Sequence, residues 1–176
     1  MKHVIRSRKT NYTAYAFKVE ELNVSLPDGR IRDYDLVNHK DSVTIIPVDN
    51  NEMFWFVEQY RMGSESALLE LPAGVMDDNE SPEICAAREV REEIGMSAGH
   101  MQLIGSVYLA PGYSSELNHI FLATKLTPAP LKQDDDEFLT VKKFSKHDLM
   151  ALIQDGGLLD SKSLAALYLY QLIPKN

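Results

Sequence analysis

The stretch from Ser81 to Gly95 is the strongest helix signal in a chain that otherwise reads mostly as strand. Ser81 carries a hydroxyl suited to accept from the first free backbone N–H groups. Pro82 takes the first helical position, where its missing N–H costs nothing. The helix runs to about Ile94 and stops at Gly95. At about 100° per residue, Ile84, Ala87, Val90 and Ile94 share one arc, and Glu89, Glu92 and Glu93 fall on nearly the opposite one. The expected element packs through its apolar arc and presents three carboxylates together, with Glu89 and Glu93 neighbours at i and i+4.

The flanks set the class. Tyr15 to Leu36 reads as a hairpin, with near-alternating Val19, Leu22, Val24 and Leu26 before the turn residues Pro27-Asp28-Gly29. A second hairpin is expected from Val43-Thr44-Ile45-Ile46 through Asp49-Asn50-Asn51 to Phe54-Trp55-Phe56-Val57. Leu68–Leu71 is a short apolar stretch, and further strands are expected at Gln102–Leu109, Ile120–Thr124 and Phe138–Phe144. Helices at about Lys146–Gln154 and Ser161–Leu172 finish the chain. Strands around one central helix with two trailing helices predict an α+β fold, a mixed-sheet sandwich flanked by helices.

The chain has 176 residues, 44% apolar and 25% charged, enough for one substantial core. A net charge of -8 argues against non-specific binding to nucleic acid or an anionic membrane. The single cysteine, Cys85, cannot form an intrachain disulfide and reads as a small packing residue in a reducing compartment. No segment reads as a signal peptide or a membrane span, so the expected location is cytoplasmic. The histidines are scattered without metal-ligand spacing and read as structural or exposed.

Three clustered carboxylates repel one another, by about 0.5 kcal/mol per exposed pair and by more if desolvated. One resolution is a hard divalent cation that also bridges substrate phosphates. The other is a solvated acidic face with Arg88 and Arg91 as local partners, which a bare Arg-Glu-x-x-Glu-Glu string favours.

The wider context decides. Gly74, five intervening residues, Glu80, seven more, then Arg88-Glu89-Val90-Arg91-Glu92-Glu93-Ile94-Gly95-Met96 resembles the Nudix box, Gly-x5-Glu-x7-Arg-Glu-U-x-Glu-Glu-x-Gly-U, where U is apolar. All seven fixed residues are in register over 23 positions. The resemblance implies a Nudix fold and a pyrophosphohydrolase. Its implied metal ligands are Glu89 and Glu93, Glu92 directly or through water, and the Ala73 carbonyl, holding Mg2+ with Mn2+ as a possible substitute. Gly74 is expected to let the backbone turn tightly and approach an ion or phosphate. Glu80 and Arg88 are expected to brace the loop against the helix, and Gly95 to end the helix.

Three flanking pieces resemble the ADP-ribose pyrophosphatase branch: Glu58-Gln59-Tyr60-Arg61 with Leu69-Glu70-Leu71-Pro72-Ala73-Gly74; Ala110-Pro111-Gly112-Tyr113-Ser114-Ser115-Glu116; and the acidic run Asp134–Glu137 leading on to Gly157-Leu158-Leu159-Asp160. Arg61 is assigned to a substrate phosphate, because its donor fork suits an anhydride oxygen; the competing reading is a surface arginine paired with Glu58 or Glu65. Glu70 binds base or ribose, or is a strand-end surface carboxylate. Gly112 belongs to a turn that shapes the pocket, with Glu116 directed at substrate or metal. The resemblance implies a general base from the acidic loop, Glu137, with Glu92 or Glu93 as the alternative base and a solvated turn as the bland reading.

The expected reaction is metal-dependent hydrolysis of ADP-ribose to AMP and ribose 5-phosphate. The alternatives are a nucleotide-sugar pyrophosphatase of GDP-mannose or UDP-glucose type, and a non-catalytic Nudix-fold module that senses a nucleotide. Residues 1–40 resemble the extra hairpin through which family members form a homodimer, leaving 41–176 as the hydrolase domain.

Overall fold

A computed structural model describes residues 2–133 and 138–174. The chain divides into two compact units, Met1–Asp41 with Tyr108–Leu117, and Ser42–Val107 with Asn118–Asn176.

The first unit is a three-stranded antiparallel sheet of β1 (Val4–Thr13), β2 (Phe17–Ser25) and β3 (Ile31–His39), in that spatial order. The β2–β3 turn closes with Leu26 N–H donating to the Arg30 carbonyl at 2.8 Å, and Gly29 takes φ +87°. Strand β1 extends the expected hairpin to three strands. All ten of its residues are exposed, so it lacks the one-sided burial that would print a period of two on the sequence. Its tie to β2 is polar: the Arg8 guanidinium donates to the buried Glu20 carboxylate at 2.9 Å. The 110–116 segment runs along β3, with Val37 N–H donating to the Tyr113 carbonyl at 2.7 Å and Ser115 N–H to the Val37 carbonyl at 3.0 Å.

The second unit holds two sheets. Strands β5 (Phe54–Arg61), β6 (Ser66–Glu70) and β10 (Thr140–Phe144) form an antiparallel sheet in the order β10-β5-β6. Strands β4 (Ser42–Pro47), β7 (Ala73–Val75), β8 (Met96–Tyr108) and β9 (Leu117–Pro128) form a mixed sheet in the order β7-β4-β9-β8, where β4 and β9 are parallel. The expected β4–β5 hairpin is therefore wrong, because the two strands belong to different sheets and share only the bridge Val48–Phe54. The turn chemistry was right: Asp49 accepts from Asn51 and Met53 N–H and from Trp55 Nε1. Burial explains the error. Every residue of β4 is buried, so it has core on both faces, which a hairpin with one solvated face does not need.

Side-chain alternation sorts these cores. Val43 and Ile45 of β4, with Phe121 and Ala123 of β9, pack on helix α1 (Pro82–Glu93) through Cys85, Ala86 and Val90. Ile46 and Ile120 point the other way, into a core with Phe54, Phe56 and Leu71 and with helices α2 (Lys146–Gln154) and α3 (Ser161–Gln171). Each fully buried side chain of this kind contributes about 1.5–3 kcal/mol. The helix starts match the sequence: Ser81, Ser145 and Asp160 are N-caps, each accepting from the N–H three residues on.

Candidate active site

The carboxylates of α1 are not where the helical wheel put them. Cys85, Ala86, Glu89, Val90 and Glu93 form the buried face, whereas Ile84 is 62% exposed and Ala87 is also exposed. Glu89 and Glu93 thus share the packed side of the helix, on the arc between Cys85 and Val90, instead of facing away from the core. A wheel drawn from hydropathy cannot anticipate this, because it assigns every carboxylate to water.

Strand β7 receives both groups. Ala73 N–H donates to Glu93 Oε2 at 3.2 Å. Glu89 lies directly over Gly74, and a Cβ added there would meet its Oε1 at 1.8 Å and its Cδ at 2.1 Å. Gly74 was expected to make a tight turn. It sits instead in a short strand, and what requires glycine is room for a carboxylate against the backbone.

Arg88 organises the remaining acids. Its Nε and Nη2 donate to the two oxygens of Glu80 at 3.0 Å each, and its Nη1 donates to Glu89 at 2.6 Å and Glu92 at 2.9 Å. Glu80 also accepts from Asp77 N–H at 3.0 Å, so the loop before the helix is tied to the helix itself. These bonds, Arg88 foremost, hold the Glu80 carboxyl below its ordinary range. Hydrogen bonding to Glu80 likewise raises the Arg88 pKa further. Arg88 Nη1 bridges Glu89 and Glu92, so the guanidinium offsets part of the repulsion among the carboxylates of the helix. Gly95 ends the helix at φ +70°. Cys85 is a buried thiol whose pKa is pushed up, chiefly by burial, which suits packing and not nucleophilic chemistry.

A second charged group lies at the end of β5 and β6. Arg61 gives Nε and Nη2 to the two oxygens of Glu70, both at 2.7 Å. The competing pairing of Arg61 with Glu58 or Glu65 gives way to Glu70: Glu58 pairs with Lys142 across the strands at 2.6 Å, and Glu70, at 1% exposed, is not a surface carboxylate. Burial alone would raise the Glu70 pKa, but the bonds from Arg61 and the charge of Lys162 outweigh it and hold the carboxyl low. Lys162, which the sequence reading passed over, also contacts Asp160 at 2.9 Å. The Glu70 hydrogen bonds, with smaller help from the charges of Glu93 and Asp160, raise the Arg61 pKa further.

In the first unit, Glu116 is half-buried with Oε2 3.9 Å from His39 Nδ1. Gly112 is exposed and a Cβ there would meet nothing, so its turn makes no steric demand for glycine. Glu137 and the rest of the Asp134–Glu137 run lie outside the described residues.

The family model for the NUDIX domain matches residues 38–167. The chain belongs to the Nudix family. Within it, this Nudix protein is 32% identical over 152 residues to the ADP-ribose pyrophosphatase of Bacillus subtilis (strain 168), covering 85% of this chain and 82% of that one. It is 29% identical over 163 residues to the methanol dehydrogenase activator of Bacillus methanolicus, covering 92% and 88%. A crystal structure of an ADP compounds hydrolase superposes with a TM-score of 0.86 at 26% identity, covering 97% of this chain and 93% of the other. These likenesses put the chain in the ADP-ribose pyrophosphatase-like branch of the Nudix hydrolases.

Proposed function

We propose that this Nudix enzyme hydrolyses the diphosphate bond of ADP-ribose, releasing AMP and ribose 5-phosphate, with a divalent cation at the box helix. The observation that carries the reading is the seating of two buried carboxylates, Glu89 and Glu93, against Ala73-Gly74.

The donor set suits a hard cation. It is built of oxygen, and Gly74 leaves space for Glu89 that any side chain would fill. Glu89 and Glu93, the Ala73 carbonyl and, through water, Glu92 are the groups that would hold Mg2+ or Mn2+. A bound ion of this kind neutralises diphosphate charge and acidifies water. The protein's own share follows from its residues. Arg61 keeps Nη1 and one Nη2 hydrogen clear of Glu70, a fork that suits an anhydride oxygen. Arg88 and Glu80 fix the loop that carries β7 relative to the helix. Glu137 is assigned to take the proton from the attacking water, Glu116 and Gly112 to the substrate pocket, and the cytoplasm is the proposed location.

The relative named as an activator favours a second reading, a regulatory protein that binds a nucleotide derivative and acts through a partner. Every fixed residue of the box is retained here, which supports turnover over sensing alone. A panel of nucleoside diphosphate derivatives with magnesium or manganese, read by chromatography, tests both. AMP from ADP-ribose supports the hydrolase, GMP or UMP from the sugar analogues would redirect the substrate, and binding without cleavage would support the sensor.

A further inference from the structure

We propose that Lys162 is a positioning residue for Arg61, acting through the buried Glu70 carboxylate that both of them contact; the inference rests on the reading above, in which Arg61 meets the diphosphate. The register of β5 and β6 shows why Arg61 needs an anchor. Arg61 stands opposite Ser66, whereas Glu70 stands opposite Val57, so the arginine side chain runs back along the sheet face to reach its partner. A long side chain laid along a surface has many alternatives, and a bidentate carboxylate selects one of them.

Glu70 is itself held from the other side. Its side chain is 2% exposed and that of Lys162 14%, and the Lys162 ammonium donates to Glu70 Oε2, the same oxygen that takes Arg61 Nη2. Lys162 is fixed in turn by Asp160 Oδ1 at 2.9 Å. Asp160 caps α3, accepting from Ser163 N–H at 3.0 Å and from its hydroxyl at 2.6 Å. The Ser163 oxygen then accepts from Leu71 N–H at 2.8 Å, next to Glu70 in the chain. The first turn of α3 therefore grips the end of β6 twice, once through the carboxylate and once through the backbone. Removing Lys162 takes one of two cations from a buried carboxylate and leaves Glu70 unheld on the side of α3, so the carboxylate and the guanidinium bound to it lose their fixed orientation towards the substrate.

The experiment is steady-state hydrolysis of ADP-ribose by the full chain with magnesium, in the wild type, Lys162→Met, Lys162→Arg, Arg61→Gln and the double variant Lys162→Met/Arg61→Gln, with melting curves for each. Lys162→Met is expected to raise KM about tenfold with kcat changed by about twofold or less, since a misplaced binding group costs affinity for the substrate. Lys162→Arg restores the charge and should recover most of the loss. On the Arg61→Gln background, Lys162→Met should add about twofold or less, because the path through Arg61 is already cut. A wild type that leaves ADP-ribose intact refutes the functional reading and this inference with it. Wild-type turnover with an unchanged KM in Lys162→Met refutes the inference alone, as does a KM penalty that persists undiminished without Arg61 or is not relieved by arginine.

Discussion

The carboxylate of Glu89 rests on the α-carbon of Gly74, so closely that a methyl group there would lie 1.8 Å from Oε1. Two positions of the box, fifteen residues apart in the chain, are thus one steric unit. Gly74→Ala is expected to keep the fold, because the displaced atoms are the far end of a flexible side chain, and to lower kcat/KM about 100-fold through a misplaced Glu89. Circular dichroism and turnover on the same preparation check it; near-wild-type activity would mean that Glu89 does not act from this seat.

Acid should unfold the protein partly through Glu70 and Glu80. Arg88 holds the Glu80 carboxyl low, and Arg61 with Lys162 holds Glu70 low against the effect of burial. Both folded values lie below the unfolded one of about 4.3. The unfolded chain then binds more protons in that window, so stability is full above about pH 4.3 and is lost as pH falls through the folded values. Urea midpoints measured from pH 6 downward should fall in the wild type. Glu80→Gln should flatten that limb while lowering stability at pH 7 by about 1–3 kcal/mol, since Arg88 loses its principal acceptor.

The capped helices and the oxygen-rich box were legible because they depend on local chemistry. Ser81, Pro82 and Gly95 specify α1 with little help from elsewhere, and the strand-rich pattern around it leads to the α+β class. What escaped depends on tertiary neighbours. Strand β1 has no buried face to leave a pattern. The sheet change after β4 depends on core lying on both of its sides. The burial of Glu89 and Glu93 arises because β7 offers a glycine and a free N–H, and the partnership of Arg61, Glu70 and Lys162 joins residues up to 101 positions apart. Hydropathy along one helix or one strand carries none of this.

Glu137→Gln should lower kcat about 100-fold with little change in the affinity for manganese, since removing a general base costs typically 10²–10⁴. Electron paramagnetic resonance of added manganese alongside turnover separates the two effects. An unchanged rate would move the base to Glu92 or Glu93.

Residues 1–40 are proposed to carry a homodimer contact. Within the three-stranded sheet, Val4, Ile5, Tyr12, Ile31 and Tyr34 are exposed apolar side chains that such a contact would cover. Light scattering at micromolar concentration should give twice the chain mass of 19.9 kDa, and a single-chain mass would reject the contact.

The most direct test compares wild type and Glu93→Gln for manganese binding and for ADP-ribose hydrolysis in the same buffer. The account predicts that the wild type binds the ion and yields AMP with ribose 5-phosphate, while the folded variant loses both. Ion binding and product formation that survive the loss of this carboxylate would contradict it.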